Sequence, residues 1–259
     1  MGYRDIAVFL DGSPGNSARL DFALWLARQH DARLTGVDVN SQAAFRGEWA
    51  ERARSLEESL RAKGAQVGVN VRFRIAEREA RGWKDFYAHY ADLVIATQPY
   101  PEASGLIHPE VPEGVLTSSG VPMIVLPYGW KPRHALDRVL VAWSPSAQAT
   151  RAVHDAMPIL KAARKVTVFE FDPPADAKDA DLELLCDHLR AHGVEAGTEH
   201  WDDIGDISAA ESLFASRALE DADIVVAGAY SHSRFRQTLF GGMTKALMQQ
   251  FFTPVLVSH

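Results

Sequence analysis

Short apolar runs separated by stretches with helical spacing recur along the whole chain. Residues 6–10, Ile-Ala-Val-Phe-Leu, form the first run, which ends in Asp11-Gly12-Ser13-Pro14. A continuous apolar run of that length predicts a strand buried on both faces of a parallel sheet. Leu20, Ala23, Leu24 and Ala27 then repeat at the interval of one buried helix face. Residues 34–39 predict a second strand. A long helix over about 43–63 follows, with Phe45, Trp49, Leu56 and Leu60 on one stripe and Gly64 closing it. Its other faces carry mixed charge and predict a solvated surface. Val67, Val69, Val71, Phe73 and Ile75 alternate with polar residues, the mark of a strand covered on one face. Trp83, Phe86, Tyr87 and Tyr90 stand at i, i+3, i+4 and i+7 and predict helix core rather than a ligand box.

The pattern then repeats. Ala91-Asp92-Leu93-Val94-Ile95-Ala96 returns as Ala222-Asp223-Ile224-Val225-Val226-Ala227 at an offset of 131 residues. The same offset carries Asp11-Gly12-Ser13-Pro14 onto Ala142-Trp143-Ser144-Pro145. Val121-Pro122-Met123-Ile124-Val125 matches Thr253-Pro254-Val255-Leu256-Val257 at an offset of 132. Three matches in register make the chain a duplication, with domains over 1–130 and 137–259 and a linker around 127–136. Strands alternating with helices in each half predict a parallel sheet with right-handed crossovers and helices on both faces. Ligands in such sheets sit beyond the carboxyl ends of strands, where the strand order reverses. That crevice falls to residues 11–17 with 97–100 in the first half, and to 142–148 with 228–242 in the second. Residues 123–126 and 255–257 are expected at sheet edges that meet, since related halves can cover one another's open edges.

Composition narrows the classes. Hydrophobic residues at 47% and charged residues at 24% are ordinary for a globular protein. A formal net charge of −7 weighs against partners such as nucleic acid or an anionic membrane. The single cysteine, Cys186, has no internal disulfide partner, and its place beside Leu184, Leu185 and Leu189 predicts a packed thiol. No apolar stretch reaches the length of a membrane span, and residues 6–10 are too short for a signal peptide. These features lead us to expect a reduced, cytoplasmic protein.

Candidate chemistry concentrates after the strand at 224–227. Gly228 ends that strand, a polar loop follows, and Gly241 and Gly242 precede a helical pattern with Met243, Ala246, Leu247 and Phe251. Glycines there let backbone N–H groups approach a ligand, and a helix start favours an anion; the same glycines also serve a purely steric turn. The anion cradle is therefore Gly228, Gly241, Gly242 and the N–H groups leading into Thr244, with Ser231, Ser233 and Arg234 as side-chain contacts and Arg236 as a further cation. In the first half, Pro109 and Glu110 stand where Gly241 and Gly242 would fall. Proline offers no N–H and glutamate repels phosphate, so that crevice is the weaker phosphate candidate. Asp11 and Ser13 remain as a candidate first-half site, while a helix cap or a turn through Ser13 is the favoured role for Asp11. Trp143 reads as packing or as a stacking wall. His188 and His192, at i and i+4, predict an exposed helix face, and no metal is inferred. His232 is read as a hydrogen-bonding group that shapes its loop. No catalytic residue emerges, so the chain is more an expected binder than an expected enzyme.

Gly228-Ala-Tyr-Ser-His-Ser-Arg234, Phe240-Gly-Gly-Met-Thr244 and Thr253-Pro-Val-Leu-Val-Ser-His259, together with Val8-Phe-Leu-Asp11-Gly-Ser13, resemble the universal stress protein family in its tandem two-domain form. The resemblance implies two doubly wound, Rossmann-like α/β domains, each a five-stranded parallel sheet of order 3-2-1-4-5, packed as a pseudo-dimer. ATP-binding members of that family carry an Asp at the end of the first strand and Gly-x2-Gly-x9-Gly-(Ser/Thr) after the fourth. The second half has Gly228, Ser231, Gly241 and Gly242 at those places, and Ala142 where the Asp is expected. The first half has Asp11, but Thr97 and Tyr100 replace the first two glycines. The resemblance thus implies a stress-response or regulatory protein binding an adenine nucleotide such as ATP, or another phosphorylated ligand, in its second half. Action through unidentified protein partners without nucleotide is the alternative, and slow nucleotide hydrolysis a third reading. The chain is expected as a pseudo-dimeric monomer or a homodimer.

Overall fold

A computed structural model describes residues 2–39, 48–76, 88–98, 110–171, 180–201, 213, 216–229 and 251–259. The chain divides into two compact units, Met1–His134 and Ala135–His259. In the first unit β1 (Asp5–Leu10), β2 (Arg33–Asp38), β3 (Val71–Ile75), β4 (Leu93–Thr97) and β5 (Met123–Leu126) form a sheet of order β3-β2-β1-β4-β5. Every pairing in it is parallel. Helices α1 (Asn16–His30), α2 (Glu48–Val67) and α3 (Glu110–Ser119) belong to the same unit. In the second unit β6 (Arg138–Trp143), β7 (Lys165–Phe171), β8 (Ala196–Trp201), β9 (Ile224–Gly228) and β10 (Val255–Ser258) repeat that arrangement, as β8-β7-β6-β9-β10, again all parallel. Its helices are α4 (Ala147–Ala162), α5 (Ala180–Ala191) and the short α6 (Arg217–Asp221). The order 3-2-1-4-5 expected from the family resemblance is the order each unit shows.

The apolar runs are strands because both faces of each central strand are covered. Ile6, Ala7, Val8, Leu10, Leu93, Val94 and Ile95 are wholly buried in the first unit, as are Ile224, Val225 and Val226 in the second. The duplicated Asp has a structural task. Asp92 Oδ2 accepts the backbone N–H groups of Arg4 and Asp5 at 2.7 and 3.0 Å. Asp223 Oδ2 likewise accepts the N–H of Arg138 at 3.0 Å, and Arg138 Nη2 donates to its other oxygen at 3.1 Å. Each carboxylate satisfies N–H groups at the start of the unit's central strand, which is reason enough for its repetition.

Three sequence expectations change. Helix α2 runs through Gly64 to Val67, and Gly68, at φ +72°, ends it. Val69 N–H donates to Gly64 C=O at 3.0 Å and Gly68 N–H to Ala65 C=O at 3.4 Å, the paired bonds of a left-handed helix stop. Gly64 is glycine for another reason: a Cβ there would sit 2.6 Å from Val71 Cγ1. Val67 accordingly belongs to the helix, and the strand begins at Val71. Tyr90 is 72% exposed, in a single 3₁₀ turn (Ala88–Tyr90), because three residues per turn do not preserve the α-helical stripe. Its companions Trp83, Phe86 and Tyr87 lie outside the described residues, as do Phe45, the side chain of Trp49, and the helical pattern of Met243, Ala246 and Leu247.

His30, the last residue of α1, sets its half-buried ring edge-on to Tyr3, with centroids 4.9 Å apart. Burial holds its pKa below the ordinary value of 6.5, even though a helix C-terminus favours the cation. A depressed folded-state pKa means that the neutral form folds better. Its contribution is complete above about pH 6.5 and is lost as pH falls through the folded pKa. Thermal melts of the wild type should therefore lose more on acidification below that pH than melts of His30→Gln; identical pH profiles would remove His30 as the cause.

Candidate functional site

In each unit the strand order reverses between the first and fourth strands, so the crevice lies beyond the ends of β1 and β4, or of β6 and β9. In the first unit that place is filled by the protein's own Arg19. Its Nη2 donates to Asp11 Oδ1 at 2.6 Å and to Asn16 Oδ1 at 3.1 Å, and its Nη1 donates to the Thr97 hydroxyl at 2.7 Å. Arg19 and Asp11 are each only 1% exposed. Asp11 Oδ1 also accepts the Ser13 N–H at 2.9 Å, and Asp11 N–H donates to Asn16 Oδ1 at 3.2 Å. Asp11 is not a helix cap: Gly15 occupies that position, with no side-chain capping bond. The structure thus brings Asp11 and Ser13 together in a turn and joins Asp11 to a guanidinium. A charged pair this deeply buried persists only because each partner has the other and further hydrogen bonds. The carboxylate that could read a ligand's hydroxyls is therefore already held by the protein's own guanidinium.

The second unit is built differently. Strand pairing sets Val8 beside Ile95 and Val141 beside Val226. Trp143, the last residue of β6, is therefore the counterpart of Leu10, and Ser144 the counterpart of Asp11. Ala142, matched to Asp11 by the sequence alone, lies within β6 instead. The reason is a shorter turn: α4 is capped by Ser146, three residues after Trp143, whereas Gly15 lies five after Leu10. The Ser-Pro match aligned the turns and misplaced the strand. Thr150 stands four residues past its cap, as Arg19 does, and Gly228 ends β9 as Thr97 ends β4. Asp11, Arg19 and Thr97 are thus exchanged together for Ser144, Thr150 and Gly228, and no charge remains at these three places.

Of the cradle residues, Gly228 alone is described; Ser231, Ser233, Arg234, Gly241, Gly242 and Thr244 lie outside the described residues. So do His232, Arg236, Tyr100 and Pro109, while Glu110 opens α3. A Cβ at Gly228 would stand 2.5 Å from Ala149 N and 2.6 Å from Gln148 C, so the strand end abuts the backbone of α4's first turn. Gly228→Ala must push that helix away, and overpacking against backbone is expected to cost about 1–3 kcal/mol. Urea unfolding of the full chain measures it, and an unchanged midpoint would contradict the close approach.

Two buried acids escaped the sequence reading. Asp38 ends β2 and Glu170 lies near the end of β7, paired in register with Leu10 and Trp143, and both are almost wholly buried. The available signal was an acidic residue closing an apolar run. Trp143 is 9% exposed, and its indole N–H has no hydrogen-bond acceptor among the described residues. It lines, with Pro145, Val153, His154, Leu185 and His188, a cavity of about 320 Å³. Burial raises the Cys186 thiol's pKa, as befits a packed side chain. His188 is held below its ordinary pKa first by burial, then by His192 and His154.

Two doubly wound units in tandem, each with its crevice at a strand-order reversal, define the class: a duplicated, doubly wound α/β protein. Solved structures share this fold over nearly the full chain. A universal stress protein from Archaeoglobus fulgidus DSM 4304 is 16% identical, with a TM-score of 0.72 covering 98% of this chain and 97% of that one. A structure described as a universal stress protein, from Pseudomonas aeruginosa UCBPP-PA14, is 15% identical, with a TM-score of 0.66 over 99% and 93%. A functionally unknown protein from Pseudomonas aeruginosa PAO1 has the same identity and TM-score over 99% and 92%. The fold is that of universal stress proteins. No protein-family model matches the chain, and no curated protein does. No helix among the described residues is long and apolar enough to cross a membrane.

Proposed function

We propose that this chain is a stress-response binding protein that takes one phosphorylated small ligand, of the adenine-nucleotide class, in its second unit, while its first unit is closed by its own ion pair. The observation that carries the reading is the joint exchange of Asp11, Arg19 and Thr97 for Ser144, Thr150 and Gly228. The first unit spends a carboxylate, a guanidinium and a hydroxyl on each other. The second has two hydroxyl side chains and a glycine at the corresponding places. Glu170 adds a carboxylate near the end of the second strand of its unit, the place from which dinucleotide-binding sheets read ribose hydroxyls. The sequence adds the anion cradle of Gly241, Gly242 and Thr244, with Ser231, Ser233 and Arg234 beside it. Bound there, a nucleotide would present its phosphates to backbone N–H groups at a helix start, and Ser144 and Thr150 would orient it.

Two measurements test the reading. Absorbance of the supernatant from denatured protein reports a co-purified nucleotide, and calorimetric titration with ATP, ADP and inorganic phosphate reports stoichiometry. One site per chain is expected. Two equal sites would contradict closure of the first unit, and no binding would pass the role to protein contacts. Phosphate release above a blank would instead favour slow hydrolysis.

A further inference from the structure

His154, on α4, and His188, on α5, bring their Nε2 atoms to 3.2 Å, with ring centroids 5.2 Å apart and planes inclined by 30°. The nitrogen separation can be compared with that of two imidazoles on one ion. Two imidazoles bound to one tetrahedral ion at about 2.05 Å place their nitrogens about 3.3 Å apart and their centroids about 5.2 Å apart. A straight N–H···N hydrogen bond of this length, with the rings head to head, would set the centroids at about 5.5 Å. The observed separation of the two nitrogens is close to the span that one shared ion requires. His154 is exposed and His188 half-buried, so an ion has a path from solvent. His192 lies one residue past the end of α5, and its ring meets His188 edge-on at 4.8 Å. Among the described residues no cluster of three or more His, Cys, Asp or Glu side chains is arranged to hold a metal. The seat is therefore one of two imidazoles, with water completing the coordination.

We propose that His154 and His188 form a two-imidazole seat for a divalent transition metal of the zinc, nickel or copper class, clipping α4 to α5 beside the cavity that Trp143 lines. Nitrogen donors select that class over magnesium or calcium, which prefer oxygen. Binding depends on one residue from each of two helices 34 positions apart in sequence. A chelate of His188 with His192 would need only α5 and the residue that follows it, without α4. Thr150 of the proposed ligand crevice lines the same cavity, but metal binding by this pair requires no bound nucleotide.

The test titrates the chelator-treated full chain with zinc chloride by calorimetry and records its melting temperature with and without metal. Because these side chains are solvent-accessible, His154→Ala, His188→Ala and His192→Gln should fold, and metal-free melts check that they do. The expected result is one saturable site and a metal-dependent rise in melting temperature. Both should be lost in His154→Ala and in His188→Ala, and kept in His192→Gln. Loss in His188→Ala and His192→Gln with retention in His154→Ala would overturn the proposal in favour of the His188–His192 chelate. Absence of saturable binding, or equal binding by all variants, would overturn it outright.

Discussion

Arg19→Met should destabilise the first unit by about 3–5 kcal/mol, the loss expected when one member of a buried ion pair is removed. Methionine fills much of the arginine's volume, so the effect is not a cavity. It arises because Asp11, 1% exposed, is left buried without the guanidinium 2.6 Å away. The Ser13 N–H remains as an Asp11 donor, and a backbone hydrogen bond is worth about 0.5–1.5 kcal/mol net, less than the loss of a buried ion-pair partner costs. The Thr97 hydroxyl and Asn16 Oδ1 each lose a charged partner as well. Neutralising both ends should restore most of the loss. Asp11→Asn combined with Arg19→Met keeps an oxygen for the Ser13 N–H and leaves no buried charge. Urea unfolding of the intact chain, comparing the two single variants with the double, measures the coupling. A single variant that loses less than about 1 kcal/mol would show that water or another group compensates Asp11. The first crevice could then no longer be called closed by that pair.

The strands were legible because a strand covered on both faces admits few polar residues, so residues 6–10 and 224–227 announce themselves as unbroken apolar runs. The alternation at Val71, Phe73 and Ile75 was legible for the complementary reason: β3 lies at the edge of its unit's order and is covered on one side. Boundaries failed where one residue type serves two purposes. Gly64 was read as a helix stop and is a close contact with Val71, while Gly68 supplies the positive φ. The Ser-Pro repeat was read as strand register and marks turns of unequal length. Interactions between distant positions left no local trace. Arg19 interrupts an apolar helix face and would ordinarily be assigned to solvent; its partner Thr97 comes 78 residues later. His154 was missed because it reaches His188 only once α4 and α5 are placed side by side. The anion cradle, apart from Gly228, rests on the sequence alone.

That cradle makes the second large prediction. Gly241→Asp places bulk and a negative charge where phosphate oxygens would meet backbone N–H groups, and the repulsion adds to the steric loss. Binding that depends on this glycine should disappear altogether, whereas Asp11→Asn combined with Arg19→Met should leave it intact. The decisive measurement is calorimetric titration of wild type and Gly241→Asp with ATP, ADP and inorganic phosphate under identical salt. The account predicts one site in the wild type for at least one of these ligands and no detectable heat of binding in the variant. Equal affinity in the two proteins would contradict it and place the ligand elsewhere.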